Sequence, residues 1–229
     1  MNPMNPTRRL AVLAAVMGAA SLGLASIVSC TQWVASEDFA IQSRGESGAR
    51  LAMPTRVAAY SQGDTNTSII LSDIDLETLG GERPSGVIVH LDLLWTPHPG
   101  KTPIDPTATN FVCRILVLSE GEAGLYGGGG FGWPKVNASK GSLSLDVTGC
   151  SFSLLEHTAG FKDLLTPGEL RGLVQARRQD AFATRFQRAA SQAASNRFGA
   201  VHWVHADEWP SPAGAVVTSR RWGGSIDRR

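Results

Sequence analysis

Five histidines, three cysteines and one aromatic glycine run are the residues of this chain whose types could carry chemistry. His202 and His205 stand three apart, with Asp207 just beyond. That spacing converges on one metal ion from a helix but splits across the two faces of a strand. With a turn to gather them, His202, His205 and Asp207 form the strongest metal-ligating candidate, although a weak one. His90 and Asp92 share a strand face, with His98 in the next loop, and make a second weak set. Ordinary polar surface or hydrogen-bonded histidine accounts for both equally well. No catalytic residue is assigned. Gly45-Glu46-Ser47-Gly48-Ala49 lacks the final glycine of a nucleophile elbow, and no Ser-x-x-Lys occurs. The carboxylate pairs Asp73/Asp75 and Glu120/Glu122 read as solvated charge. The run from Gly124 to Pro134 has no Gly-Lys-Ser/Thr after it and opens no helix, which excludes a phosphate loop or a dinucleotide fingerprint. It reads instead as a flexible loop displaying Tyr126, Phe131 and Trp133, good material for holding sugars, peptides or lipid headgroups. The alternative is a long hairpin loop whose rings fold back onto the core.

The amino-terminal segment is the most specific part of the chain. Arg8 and Arg9 precede an uncharged apolar run over residues 11–29, the layout of an export signal. Ile27-Val28-Ser29-Cys30 closes that run. This resembles the lipobox of bacterial lipoproteins. The resemblance covers residues 1–30 only and implies cleavage before Cys30, a diacylglycerol on its sulfur and usually a further acyl chain on its amino group. Two or more chains anchor a protein stably where one does not. Thr31 in place of Asp after the cysteine implies the outer membrane where the host has two. An uncleaved anchor and ordinary cleavage after Ala25 are the competing readings, and Thr7-Arg8-Arg9-Leu10 faintly resembles a twin-arginine signal.

Apart from Cys30, the chain holds only Cys113 and Cys150. An even remainder in an oxidising compartment predicts a single disulfide, worth about 4 kcal/mol by the chain-entropy argument. Two buried, reduced thiols acting as small hydrophobes are the alternative.

The elements that must position these residues follow from periodicity. Residues 31–53 mix Ser, Gly and charge and read as a tether. From residue 54 to about 157 the period is two. Val87 to Trp95, Phe111 to Val117 and Leu143 to Leu154 alternate as strands, with earlier strands at 56–61 and 68–76. The inward parity flips across Thr148-Gly149, which predicts a bulge that places Cys150 inward. Leu165-Thr166-Pro167-Gly168-Glu169-Leu170 looks like a helix start with a capping box, and Phe198-Gly199 like its stop. The apolar stripe drifts between them, so a kink is expected near 177–180. Val201 to His205 reads as a returning strand.

Composition limits the functions available. Hydrophobic residues are 42% and charged residues 18%, with a net charge of +1, which rules out nucleic-acid binding by bulk electrostatics. The fold class expected is α+β: a mostly antiparallel β-sandwich or partly open barrel with one helical segment near residues 167–198. The divisions are 1–29 signal, 30–53 lipidated cysteine and tether, 54–219 a single domain and 220–229 a frayed tail. The function expected is a lipid-anchored, exported envelope protein with a non-catalytic binding or structural role. Its partners would be the membrane, through lipid on Cys30, and a protein or glycan, with no cofactor and no nucleic acid. The competing readings are an exported hydrolase-like enzyme using His202, His205 and Asp207, metal-assisted or not, and an anchored accessory subunit of a larger complex.

Overall fold

The computed structural model describes residues 39–51, 56–97 and 109–200. By its contacts the chain divides into residues 1–31 and 32–229, and all described residues belong to the second unit. Six consecutive strands form an antiparallel meander: β3 (Val57–Gln62), β4 (Thr67–Ser72), β5 (Gly86–Leu93), β6 (Phe111–Ser119), β7 (Glu122–Asn137) and β8 (Ser142–His157). The last described strand, β9 (Gly168–Arg178), runs antiparallel to β8 along most of its length. Its other edge is shared between two strands. Ala59 and Tyr60 of β3 pair with Arg177 and Arg178 in parallel, and β1 (Ala40–Ser43) pairs antiparallel with Gly168 to Arg171. The short β2 (Arg50–Leu51) flanks β1. The sheet therefore curls into a ring joined along one seam by two residue pairs, a partly open barrel within an α+β architecture, as the alternation predicts.

Alternation places one side chain set inside the ring and the other outside. Inside, Ile69, Leu91, Phe111, Ile115, Tyr126 and Leu170 belong to one buried cluster. Outside, Ile70, Ile88, Leu116 and Leu125 form a second cluster beneath a helix, α2 (Asp180–Phe198). The buried residues of α2 are Ala183, Phe186, Gln187, Ala190, Ala193 and Ala194, a stripe of helical period in which small alanines bring the backbone close to the strands. A one-turn helix, α1 (Leu76–Leu79), is capped by the Asp75 carboxylate accepting from the Thr78 N–H at 2.7 Å.

Three expectations need correction. The helical segment does not span residues 167–198: residues 168–178 are strand β9, and the helix starts at Asp180. The expected kink near 177–180 is the strand-to-helix junction. The capping box is not made. Thr166 Oγ accepts from the Leu154 N–H at 2.9 Å, the Thr166–Pro167 peptide is cis, and the Glu169 carboxylate pairs with Arg171 and, at 3.5 Å, with Arg44. The helix stop is as expected: Gly199 takes the left-handed conformation that ends α2. Finally, the segment read as tether contributes β1 and β2, so the folded region begins before residue 54. Four-residue and two-residue strands are too short to leave a readable period.

The link between β8 and β9 packs onto the ring. Phe161 meets Tyr126 edge-on, with centroids 6.2 Å apart, and Leu165 is buried in the inner cluster. Asp163 organises the link: one carboxylate oxygen accepts from the Leu165 and Thr166 N–H groups at 3.0 and 3.1 Å and from the Tyr126 hydroxyl at 3.0 Å. Burial alone would push the Asp163 carboxyl up, but these bonds and the Thr166 hydroxyl outweigh it and hold the pKa below the ordinary value. A carboxylate depressed on folding stabilises above its unfolded pKa of about 3.9 and loses that contribution as pH falls through the folded value. Asp163→Asn is therefore expected to melt below the wild type at neutral pH, and the gap should narrow below about pH 4. Melting curves across pH check this, and a gap independent of pH would remove the carboxylate from the explanation.

Candidate functional site

The segment expected to be an aromatic binding loop is a strand. Residues 122–137 form β7, hydrogen-bonded to β6 on one side and β8 on the other. Tyr126 is 1% exposed and Phe131 4%, while Trp133 is 38% exposed. Tyr126 points inward, edge-on to Phe152 with centroids 5.7 Å apart, and its hydroxyl pKa is raised, first by burial and then by its bond to Asp163. Phe131 packs edge-on to Trp133 at 4.8 Å. The three rings do not form one surface, and only Trp133 remains available to a partner. Glycine removed the side chains that would have revealed the alternation.

Glycine is required here by close approach. A Cβ on Gly128 would strike the Ser151 carbonyl oxygen and lie 2.7 Å from Phe152 Cα. One on Gly130 would strike the Gly149 carbonyl oxygen and lie 2.6 Å from Cys150 Cα. The bulge anticipated at Thr148-Gly149 is present. Phe131 pairs with Gly149 and Gly132 with Val147, leaving Thr148 as the extra residue, and pairing with β9 skips from Val147 to Cys150. Cys150 thereby turns inward. Its sulfur lies 3.2 Å from that of Cys113, a contact longer than a bond, and both residues are buried.

A polar cluster that the sequence indicated only through His90 lies where α2 meets the outer face of the sheet. The register places Ile70, His90, Arg114 and Gly127 in one row across β4 to β7. His90 Nε2 is 2.6 Å from Ser68 Oγ and 3.0 Å from Gln187 Nε2. A serine hydroxyl on an imidazole is the first half of a nucleophile–base pair. Here, however, Ser68 is 5% and His90 4% exposed, and the same nitrogen also meets an amide of the helix. The arrangement offers a substrate no approach. It joins helix to sheet through satisfied polar groups, which is what a buried histidine requires. Asp92, on the same strand, accepts from the Asn66 amide at 3.2 Å.

Among the described residues, no three His, Cys, Asp or Glu side chains gather closely enough to hold a metal ion. His98, His202, His205 and Asp207 lie outside the described residues, as do Cys30 and the strand expected at 201–205. No helix among the described residues is long and apolar enough to cross a membrane. No protein family, curated protein or solved structure matches this chain.

Proposed function

We propose that the protein is a lipid-anchored component of a bacterial cell envelope, carrying a ring-shaped β domain whose role is binding or structural and not catalytic. The observation that carries the reading is Ile27-Val28-Ser29-Cys30 directly after an uncharged run led by Arg8 and Arg9. The position of β1 supports it. Among the described residues the first strand starts at Ala40, only ten residues after Cys30 in the sequence. The burial of the Ser68–His90 pair removes that pair as a reacting centre, because a reacting hydroxyl must be reachable. On this reading Trp133, 38% exposed, is the aromatic contact point for a partner.

Cys30→Ser is expected to abolish incorporation of labelled fatty acid and to leave the chain unprocessed or released from the membrane fraction. Metabolic labelling followed by fractionation checks it. A wild-type chain that takes up no label would refute the anchor.

A further inference from the structure

We propose that Cys113 and Cys150 are joined by a disulfide in the mature protein, made before the ring closes and sealed from solvent afterwards. The two cysteines lie on β6 and β8, strands that are not neighbours, with β7 running between them. Cross-links over an intervening strand are normally prevented by span, because two strand spacings of about 4.8 Å exceed the roughly 7 Å that a disulfide bridges. Here the residues of β7 in register with the cysteines are Gly128, opposite Cys113, and Gly130, opposite Cys150. Both lack a side chain and let β8 approach closely, and the sulfurs come within 3.2 Å across a sequence separation of 37 residues. The bulge at Thr148-Gly149 sets the parity that brings Cys150 to the inner face. Register, bulge and glycine placement thus converge on one pair of atoms.

Burial also decides when the bond forms. Both cysteines are at most 1% exposed, so no oxidant reaches them in the folded state. The Cys150 thiol is pushed up, first by its hydrogen bond to Cys113 and then by burial, which suppresses the thiolate that exchange needs. Oxidation therefore belongs to the open chain. A thiolate from one cysteine attacks the disulfide of an exported thiol oxidant and displaces one of its sulfurs. The second cysteine, as thiolate, then attacks the mixed disulfide. The chain gains one S–S bond and gives up two protons and two electrons, and the oxidant's disulfide becomes two thiols. The inference rests on the proposed export only for its oxidant.

The test uses the full chain isolated from the envelope, denatured without reductant, alkylated and digested for mass spectrometry. The expected result is a linked Cys113–Cys150 peptide pair with neither residue alkylated. Reductant should remove the link quickly from denatured protein and slowly from native protein. On reduction the melting temperature should fall by roughly 10 °C, whereas the double variant Cys113→Ala, Cys150→Ala should not respond to reductant. Alkylation of both cysteines in the isolated chain overturns the disulfide. Refolding the same chain in a glutathione buffer then separates the premises. A link formed there leaves the geometry standing and places the failure in the export reading, and free thiols there place it in the geometry.

Discussion

Gly130→Ala lowers the melting temperature by about 2–12 °C, while Gly149→Ala, one strand away, changes it little. The added methyl at Gly130 meets the carbonyl oxygen of Gly149 and the Cα of Cys150, and both obstacles are main-chain atoms. Side chains can rotate out of the way. These atoms are held by pairing of Gly130 with Phe111 on one side and Cys150 on the other, so relief requires the β7–β8 ladder to shift. Overpacking of this kind costs about 1–3 kcal/mol, and more where backbone must move. In a domain of this size each kcal/mol is worth roughly 2–4 °C. A Cβ on Gly149 meets nothing within 4 Å, which makes it the control for loss of glycine itself. Calorimetry on the two variants reads the contrast. Equal, small shifts would show that β8 yields and that the glycines of β7 are not there for close approach.

Phe186→Ala is expected to cost about 3–5 kcal/mol, the range for emptying a fully buried aromatic site. Phe186 is the only large apolar side chain among the six buried residues of α2; four of the others are alanines and the sixth is Gln187. Alanines pack closely but cannot move to fill a ring-sized void, so little of the loss is recovered. The helix should loosen before the ring does. Denaturant unfolding followed by far-ultraviolet dichroism is the measurement, and a loss under about 1 kcal/mol would mean that α2 is held mainly by its polar contacts, Gln187 on His90 among them.

What the sequence disclosed depended on whether side chains recorded the backbone's period. In β5 and β6 the inward set, Val87, Val89, Leu91 and Leu93 with Phe111, Cys113 and Ile115, recurs at every second residue, and both strands were legible even though Ile88, Leu116 and Leu118 make the outer face apolar as well. The Gly149 bulge was legible because the inward set changes parity across it. β7 was not, because Gly124 and Gly127 to Gly130 carry no side chains to alternate, and glycine-rich composition imitates a loop. β9 was obscured differently: Thr166, Pro167 and Glu169 have helix-start spacing, yet Thr166 serves β8 and Glu169 serves two arginines, tertiary partners that no local rule contains. Of the polar cluster, His90 and Asp92 were visible as a shared strand face, but Ser68 and Gln187 join His90 from 22 and 97 residues away in the chain.

The seam of the ring has a consequence for the order of events in time. β3 closes onto β9, and β9 begins only at Gly168, more than a hundred residues after β3 ends at Gln62. The closing pairs are thus among the most distant in sequence, and such contacts are the slow ones, because a long loop must be ordered before they form. Until residue 178 has emerged, from a ribosome or from a membrane pore, the chain is an open sheet with the free edges of β3 and β8 exposed. Those edges are templates for pairing with a neighbouring chain. Synthesis of this protein therefore contains an interval of vulnerability that ends when β9 arrives, and a chaperone that shields strand edges during that interval would be acting at the point of greatest need.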